Sequence, residues 1–434
     1  MNNGKPVILQ VLPALSVGGV ERGAIDMAEA VVQAGGRCLV ASDVGAMLPR
    51  LRYVGGEHRL LSLPKTFSPI VFSQKVKELR SILRDEGVDL VHARSRYAVW
   101  VAVIACRKEN VPLVTTWHGV HEARHWLKRF YNAGLTKGQR VIAVSSHIAQ
   151  RLRNEYRVKK EQLVVIPRGS DPELFDPSSV NGVRVQALLD HWDVPDDSKI
   201  ILMPGRLTPW KGQAILVRAL GQLMQKCIDQ PWVCVFLGPE TNPKFAQSLY
   251  SEARALGIEE RLRFAGMCDD MPAAYALSTV VVVPSLKPEP FGRVAIEAQM
   301  MGRPVIGTAQ GGLAESILPY ETGMLVPSDD SAALVEAIET LLNTCENRRD
   351  RMGQSARKHV LAHYTKGLMQ AATLNVYDAL LGTRLEDRFE KAQREKGLVD
   401  GGGTGRQNAE EGNTTERGTS RAGGSGAAGE LIAS

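Results

Sequence analysis

The stretch Val280-Val281-Val282-Val283-Pro284, followed by Glu289-Pro290-Phe291-Gly292 and then by Arg293 to Met301, decides the fold of this 434-residue chain. Four consecutive β-branched residues predict a buried strand, and the prolines after them predict a loop. From Arg293 onward Ala, Ile and Met recur at helical spacing until Gly302 and Pro304 end the pattern. Strand, loop and helix in this order are the repeating unit of parallel α/β proteins.

Two glutamates, Glu289 and Glu297, flank the start of this helix. The first turn of a helix leaves N–H groups unpaired and carries the positive end of the helix dipole, so residues near Phe291 to Ala295 are predicted to hold a phosphate or diphosphate. Because like charges repel, each carboxylate is better suited to accept hydrogen bonds from hydroxyl groups on either side. A nucleotide sugar has hydroxyls on both sides of its diphosphate. Alternatively, both glutamates are ordinary charged residues of a solvated helix.

Short apolar runs alternate with helical patterns along most of the chain, which is typical of parallel α/β layers. The first series begins with Val7 to Leu12 and a helix near Val20 to Ala34. The other strand candidates are Cys38 to Ala41, Leu90 to His92, Leu113 to Thr116, Val141 to Val144, Ile200 to Met203, Val233 to Leu237, Leu262 to Ala265, Val280 to Val283 and Val305 to Gly307. The expected fold class is α/β, with two Rossmann-like, doubly wound parallel-sheet domains facing across a ligand-binding cleft.

Breaks in this alternation indicate the domain boundaries. The predicted segments are a first domain at 1–170, a linker region at 171–198, a second domain at 199–364, C-terminal helices at 365–396 and a disordered tail at 397–434. The last packed helix is expected near Gly367 to Leu381, with the first of the C-terminal helices packing back towards the N-terminal domain. Arg384 to Lys396 is charged and predicts an exposed helix. The tail is rich in glycine and almost lacks aromatic and β-branched residues, which favours disorder.

Composition argues against several classes of protein. The chain is 44% hydrophobic and 23% charged, as expected for a globular protein with ample core. The apolar run Val7 to Leu12 is too short for a signal peptide or a membrane span, so a cytoplasmic location is expected. The six cysteines are scattered without a Cys-x-x-Cys pair, which argues against a disulfide framework and against a zinc site.

A second phosphate signal, Pro204-Gly205-Arg206-Leu207 followed by Trp210-Lys211-Gly212, lies between a predicted strand and a helix at Gln213 to Leu223. Arg206 can bind phosphate oxygens with two N–H groups, and Lys211 can act as a point charge. Together they could neutralise a diphosphate leaving group. The motif is neither a Walker loop nor a Gly-x-Gly-x-x-Gly fingerprint, which argues against an ATPase and a dinucleotide-dependent dehydrogenase.

Two further motifs follow strands of the first series. Gly18-Gly19 follows the first strand, so its backbone can approach a ligand closely, and Trp117-His118-Gly119 places an imidazole above the same cleft. Among the neighbouring histidines, His118 is favoured over His121 and His125 because it alone lies at a strand exit beside a glycine. A single histidine is also compatible with a purely structural role.

These motifs resemble those of the retaining family 4 glycosyltransferases, which have the GT-B fold of two facing Rossmann-like domains. The resemblance covers about residues 6–382. It is carried by Gly18-Gly19-Val20-Glu21, Gly205-Arg206-Leu207, Lys211-Gly212, Glu289-Pro290-Phe291-Gly292, Glu297, Gly311-Gly312, Glu315 and Gly323. The resemblance implies that the first domain binds the acceptor and the second binds the nucleotide-sugar donor.

The resemblance also assigns roles to individual residues. Arg206 and Lys211 would bind the donor diphosphate, Glu289 the transferred sugar, and Glu297 the ribose. The remaining expected site residues are Phe291, Gly292, Arg293 and Val294 at the helix start, Gly266, Met267 and Met271 near the base, His118 near the donor sugar or reacting centre, and Gly18 and Gly19 on the acceptor or phosphate side. The donor sugar and the base are not specified by the sequence, because both are recognised largely through backbone groups and pocket shape.

The chemistry implied by the resemblance is a same-face substitution with retention of the anomeric configuration. The acceptor hydroxyl attacks as the nucleoside diphosphate departs, and the leaving phosphate helps to take the proton, so no protein nucleophile is required. No cofactor and no metal are expected, because Asp269-Asp270 is adjacent rather than Asp-x-Asp and cations already balance the diphosphate. The alternatives are a sugar-nucleotide 2-epimerase of the same fold and a non-catalytic nucleotide-sugar-binding protein.

The acceptor is indicated by a basic and aromatic surface. Residues 1–171 contain 26 Lys and Arg against 14 Asp and Glu, so the first part of the chain favours an anionic partner such as a phosphorylated lipid surface or a nucleic acid. The basic aromatic surface is predicted from His92-Ala93-Arg94-Ser95-Arg96 and from Glu122 to Lys137, which includes Arg124, Lys128 and Arg129 beside Trp126, Phe130 and Tyr131. This segment resembles those of bacterial lipopolysaccharide core glycosyltransferases.

The expected partners are a nucleotide sugar, a lipid-linked saccharide acceptor and an anionic membrane surface at the inner face of the cell membrane. A nucleic acid is not expected as a partner. An amphipathic helix packed over the cleft is the alternative.

Overall fold

Short apolar runs form two parallel sheets in the computed structural model, which describes residues 5–16, 18–63, 68–121, 125–226 and 231–397. The strands of the first sheet are β1 (Val7–Ala14), β2 (Arg37–Asp43), β3 (Glu57–Leu60), β4 (Leu90–Ala93), β5 (Leu113–Trp117), β6 (Arg140–Ala143) and β7 (Leu163–Val165). Those of the second are β8 (Lys199–Pro204), β9 (Trp232–Leu237), β10 (Leu262–Phe264), β11 (Val280–Val283), β12 (Val305–Thr308) and β13 (Gly323–Val326).

Helices connect and cover these strands. They are α1 (Gly19–Gln33), α2 (Leu48–Tyr53), α3 (Pro69–Asp85), α4 (Arg96–Glu109), α5 (Trp126–Ala133), α6 (Ser146–Tyr156), α7 (Gly182–Trp192), α8 (Gln213–Met224), α9 (Pro243–Ala255), α10 (Met271–Leu277), α11 (Arg293–Met300), α12 (Leu313–Ser316), α13 (Ser331–Asn343), α14 (Glu346–His363), α15 (Lys366–Leu381) and α16 (Leu385–Glu395). No helix in these described ranges is long and apolar enough to cross a bilayer.

Both sheets have the doubly wound topology. The strand order is β3-β2-β1-β4-β5-β6-β7 in the first sheet and β10-β9-β8-β11-β12-β13 in the second. The order therefore reverses beside β1 and β8, and a crevice opens at such switch points outside the carboxyl ends of the strands. The predicted α/β class with two doubly wound parallel sheets is confirmed, and the second sheet places the carboxyl ends of β8 and β11 next to each other.

Alternate residues of each central strand are buried on opposite faces. On β11, Val281 and Val283 belong to a cluster that continues into the first sheet, whereas Val280 and Val282 pack with α8 and α13. The opposite face of the first sheet packs against α1 and α15. Burial on both faces explains why these strands are continuous apolar runs rather than alternating ones.

Three strands, β3, β7 and β13, were not predicted from the sequence. Each lies at the edge of its sheet and has three or four residues. Edge strands are short and partly covered, so they carry little apolar signal; β3, with the sequence Glu-His-Arg-Leu, has no buried residue.

The C-terminal helices pack more extensively than the sequence suggested. Tyr377 and Leu374 of α15 are fully buried in the cluster beneath the first sheet. The prediction that the last packed helix ends at Leu381 is wrong, because Leu385 and Phe389 of α16 enter the same cluster. Leu385 and Phe389 were not predicted to be buried because the residues around them are charged. They lie four residues apart on one face of the helix. The predicted disordered tail lies outside the described residues, except for Gly397.

The chain crosses between the two sheets twice, and the two crossings are hydrogen-bonded to each other. Ser170 follows β7, and its N–H donates to the carbonyl of Tyr364 at 2.8 Å. The Ser170 carbonyl accepts from the N–H of Lys366 at 2.7 Å, at the start of α15. These paired crossings hold one side of the cleft between the sheets.

Candidate active site

A cleft of about 670 Å³ lies at the carboxyl ends of strands from both sheets. Its lining comes from segments that follow β1, β5, β6 and β7 of the first sheet and β8 and β11 of the second. The lining residues are Gly19, Val20, His118, Gly119, Val120, Val144, Arg168, Gly205, Arg206, Trp210, Lys211, Val283, Lys287, Pro288, Glu289, Pro290, Phe291, Gly292, Arg293 and Val294. Both sequence motifs that were predicted to bind phosphate therefore line the same cavity.

The loops after β8 and β11 pack directly on each other. Gly212 has a φ of +87°, and a Cβ there would overlap the carbonyl oxygen of Pro284, so this position requires glycine. The N–H of Leu286 donates to the carbonyl of Trp210 at 2.8 Å. This close approach brings Lys211 of one loop against Glu289 of the other.

Lys211 and Glu289 form a nearly buried ion pair. The Lys211 Nζ lies 2.6 Å from Glu289 Oε1, and the same oxygen accepts a hydrogen bond of 2.7 Å from Ser285 Oγ. Glu289 is 6% exposed, and the Lys211 ammonium also lies 4.6 Å from the centre of the Trp210 ring. The carboxylate that was predicted to contact a sugar is therefore fixed by the cation that was predicted to contact a phosphate.

The start of α11 opens into the cleft. Gly292 precedes it with a φ of +96°, and Phe291, Gly292, Arg293 and Val294 all line the cavity. Glu297 lies one turn further and is buried, where Oε1 accepts from the Arg293 guanidinium at 2.8 Å and Oε2 from Tyr275 Oη at 3.1 Å. Glu297 is not among the lining residues, whereas its partner Arg293 is.

His118 faces this helix start from the first sheet. It follows β5 directly, and its Nε2 is buried without a hydrogen-bond partner among the described residues. Burial, reinforced by Arg168 and Arg94, holds the pKa of His118 well below its usual value. The imidazole is therefore neutral at pH 7 and can exchange a hydrogen bond with a ligand without adding charge.

Arg168 lines the cleft beside the glycine loop. Its guanidinium donates to the carbonyl of Gly19 at 2.9 Å, which fixes the backbone at the start of α1. Burial together with Arg293 and Arg94 lowers the pKa of Arg168 to about 9, so it still carries its charge at neutral pH. Gly18 caps α1, and Gly19 faces the cavity.

Direct contacts join the two walls of the cleft beside the site. Ser145 Oγ donates to the carbonyl of Pro290 at 2.6 Å. The carboxylate of Glu315, on α12, accepts from the N–H groups of Ser146 at 2.8 Å and His147 at 2.6 Å. A carboxylate at the amino end of α6 is well placed to stabilise the helix dipole.

Not every predicted site residue reaches the cleft. Gly266 and Met267 are exposed after β10, Met271 begins α10, and none of the three lines the cavity. The predicted basic surface at His92 to Arg96 is wrong in part. His92 is fully buried, and Arg94 is 4% exposed because its guanidinium donates to the side chain of Gln10 at 2.8 Å.

Three further residues, Arg168, Ser285 and Tyr275, belong to the site and were not predicted from the sequence. Arg168 follows an edge strand of only three residues, so the rule that ligands bind beyond strand ends could not be applied to it. Ser285 and Tyr275 act through Glu289 and Glu297, and such contacts depend on which loops the fold brings together.

Two sequence-family models match the chain over most of this architecture. The model described as Glycosyltransferase Family 4 matches residues 17–174, and the model described as Glycosyl transferases group 1 matches residues 186–359. The D-inositol 3-phosphate glycosyltransferase of Corynebacterium glutamicum is 29% identical over 64% of this chain and 70% of its own length. The enzyme of the same name from Salinispora tropica is 30% identical over 64% of this chain and 62% of its own length.

Solved structures resemble the whole described architecture. A glycosyltransferase from Rickettsia africae has a TM-score of 0.80 and 31% identity, covering 87% of this chain and 99% of that chain. WaaG, a glycosyltransferase involved in lipopolysaccharide biosynthesis, has a TM-score of 0.67 and 16% identity, covering 87% of this chain and 100% of that chain. The latter similarity concerns the fold alone.

Proposed function

Because the chain belongs to the family 4 glycosyltransferases with the GT-B fold, we propose that it moves a hexosyl group from a nucleoside-diphosphate sugar to a hydroxyl group of an acceptor, with retention of configuration. The observation that carries this proposal is the shared cavity. Arg206, Lys211 and the start of α11 supply positive potential on one wall, and the neutral His118 faces them from the other. A diphosphate and a sugar fit these two environments.

The donor is proposed to lie with its diphosphate at the start of α11. Backbone N–H groups there, the Arg206 guanidinium and the Lys211 ammonium stabilise the charge that develops on the leaving phosphate. Glu289 accepts a hydrogen bond from a sugar hydroxyl while Ser285 and Lys211 hold its orientation. Glu297 is proposed to hold the ribose, and Gly266, Met267 and Met271 to lie near the base.

The reaction proceeds on one face of the sugar. The acceptor oxygen forms a bond to the anomeric carbon as the bond from that carbon to the phosphate oxygen breaks, and the acceptor proton passes to the leaving phosphate. His118 positions the donor sugar by a neutral hydrogen bond. The rate enhancement then comes from positioning and electrostatic stabilisation rather than from a protein nucleophile.

We propose that the transfer needs neither a metal ion nor another cofactor. The two cations Arg206 and Lys211 supply the charge that a divalent ion would otherwise bring to the diphosphate. Asp270, the second of the two adjacent aspartates, caps α10 and receives two hydrogen bonds from Arg184, at 2.7 and 2.6 Å. Its carboxylate is therefore already in use away from the cleft.

The test is incubation with UDP-, GDP- and ADP-sugars in the presence of EDTA, followed by NMR of the product. We expect one nucleotide series to raise the melting temperature, since a ligand that binds only the folded state stabilises it. We also expect the product to keep the anomeric configuration of the donor. An isomerised donor without transfer would indicate the 2-epimerase, binding without turnover would indicate a sensor, and an inverted product would contradict the proposed mechanism.

The acceptor is proposed to be a lipid-linked saccharide of the cell envelope, as in lipopolysaccharide synthesis, presented at the inner face of the membrane. Helix α5 supports this proposal, because Trp126 and Leu127 are 76% and 61% exposed and lie beside the exposed Lys128 and Arg129. Exposed aromatic and basic residues on one short helix suit a membrane interface. The names of the curated relatives suggest a second acceptor class, a phosphorylated polyol.

The membrane proposal predicts binding to vesicles that contain anionic lipid, and weaker binding as salt is added. Replacing both Trp126 and Lys128 by alanine is expected to weaken binding at least about fivefold, since one basic residue near an anionic surface contributes roughly 1 kcal/mol. The matched control is Tyr53→Ala, which removes an aromatic side chain that is 91% exposed on α2. Equal binding to neutral and anionic vesicles in a sedimentation assay would rule this proposal out.

A further inference from the structure

A narrow cavity beside the cleft is surrounded by basic side chains from four helices. It receives Arg22 from α1, Arg50 from α2, Arg293 from α11 and Lys366 from α15. Asp26, Asp171, Gly169, Leu174 and Phe175 complete its lining. Arg293 lines both this cavity and the large cleft, so the two spaces adjoin at that side chain.

The basic groups of this cluster outnumber the acids available to pair with them. Lys366 is bound by Asp171 at 2.8 Å and by Glu29 at 3.3 Å, and Arg293 by Glu297 at 2.8 Å. Within the described residues, Arg22, Arg50 and the adjoining Arg168 have no carboxylate within ion-pair distance, and Asp26 is the one lining acid without such a partner. Two guanidinium groups of the cavity, Arg22 and Arg50, and that of the adjoining Arg168 thus have only one lining carboxylate, Asp26, left to balance them within the described residues.

Three observations show that these guanidinium groups are crowded and incompletely partnered within the described residues. The Nε of Arg293 is buried without a hydrogen-bond partner among the described residues. A Cβ on Gly19 would lie 3.7 Å from the guanidinium of Arg293, and a Cβ on Gly23 would overlap that of Arg168. Burial and the proximity of Arg293 lower the pKa of both Arg22 and Arg168. Such crowding costs free energy unless an anion compensates for it.

We propose that Arg22, Arg50 and Arg293 of this cavity, together with the adjoining Arg168 of the large cleft, bind a phosphate monoester carried by the acceptor. This inference rests on the proposed transfer reaction and specifies its acceptor as phosphorylated. A phosphate monoester carries a charge near −2 at neutral pH, which matches the excess of unpaired guanidinium groups, and its three oxygens suit bidentate arginine contacts. Arg206 and Lys211, the cations proposed for the donor diphosphate, do not line this cavity, and Arg293 lines both spaces.

The experiment titrates inorganic phosphate into the full chain by calorimetry after the donor site is saturated with the nucleoside diphosphate that binds. The bound nucleotide occupies the diphosphate site, so the titration with inorganic phosphate measures binding at another site. We expect the wild type to bind phosphate and Arg22→Gln to bind it at least tenfold more weakly, since hydrogen bonds to charged groups are the strong ones. The matched control Arg52→Gln, an exposed residue of the same helix as Arg50, should bind as the wild type does.

A purely structural role for Arg22 gives a different result. If Arg22 serves ligand binding, Arg22→Gln relieves repulsion from Arg293, so its melting temperature without phosphate should equal or exceed that of the wild type. A lower melting temperature with unchanged phosphate affinity, or no phosphate binding by the nucleotide-saturated wild type, would overturn the inference. If the nucleotide itself fails to bind, the proposed function fails instead, so the two failures are distinguishable.

Two further titrations identify the carrier of the phosphate. D-inositol 3-phosphate represents a soluble polyol phosphate, and phosphatidylcholine vesicles containing phosphatidic acid represent a lipid phosphate monoester. Displacement of inorganic phosphate by either supports the inference and names the source, with myo-inositol and pure phosphatidylcholine vesicles as the uncharged controls. Displacement that persists unchanged in Arg22→Gln would contradict it.

Discussion

Replacing Lys211 by alanine is expected to lower kcat by about 10²- to 10³-fold, the loss seen when one preorganised group that stabilises a developing oxyanion is removed. The same change should destabilise the protein. Glu289 is 6% exposed and would keep the hydrogen bond from Ser285 but lose its ion-pair partner, and leaving one partner of a buried ion pair uncompensated costs about 3–5 kcal/mol. Steady-state kinetics and urea unfolding measure the two effects separately.

A second substitution separates catalysis from stability. The double variant Lys211→Met with Glu289→Gln removes both charges, so it should recover most of the lost stability but none of the lost activity. Lys226→Ala breaks the exposed pair with Glu339 and is the matched control, with an expected cost of at most about 1 kcal/mol. If Lys211→Ala turned over at the wild-type rate, the assignment of Lys211 and Glu289 to the active site would be wrong.

The free energy of unfolding is expected to fall steeply between pH 6.5 and pH 5. Burial holds the pKa values of His92 and His118 well below the usual value and that of His121 at about 4. In this window the unfolded chain binds protons that the folded chain excludes, so stability is retained above the unfolded pKa of about 6.5 and is lost as the pH falls. Each of these histidines lowers the free energy of unfolding by up to about 1.4 kcal/mol for each unit by which the pH falls in this window.

Single substitutions test which groups cause this loss. His118→Asn should flatten the dependence of the unfolding free energy on pH by up to one histidine's share, whereas His125→Gln, at an exposed position, should leave it unchanged. Asp26 acts in the opposite direction in the acidic range, because burial raises its pKa and the folded chain gains its proton first. Urea midpoints at pH 7, 6 and 5 provide the comparison, and equal slopes in wild type and His118→Asn would refute the assignment.

The fold was readable because its central strands are buried on both faces. Val280 to Val283 could be recognised as a strand from four consecutive valines, and the helix from Arg293 from its spacing. Edge strands such as β3 carry no such run, and α16 carries its two buried residues within a charged sequence. Local sequence patterns therefore predicted the central strands and helices. The elements at the edges were missed because their residues are only partly buried and form no continuous apolar run.

The candidate site divides in the same way. By itself the sequence determined the α/β class, the loops after β8 and β11, and the residue types Arg206, Lys211, Glu289 and His118, because strand ends and helix starts follow from local periodicity. Only the tertiary structure decided that Lys211 binds Glu289, that Arg94 is buried and that Arg168 meets Gly19. Lys211 and Glu289 lie 78 positions apart in the sequence, and Arg168 and Gly19 lie 149 positions apart. Such contacts depend on how the layers and loops pack, which no local pattern encodes.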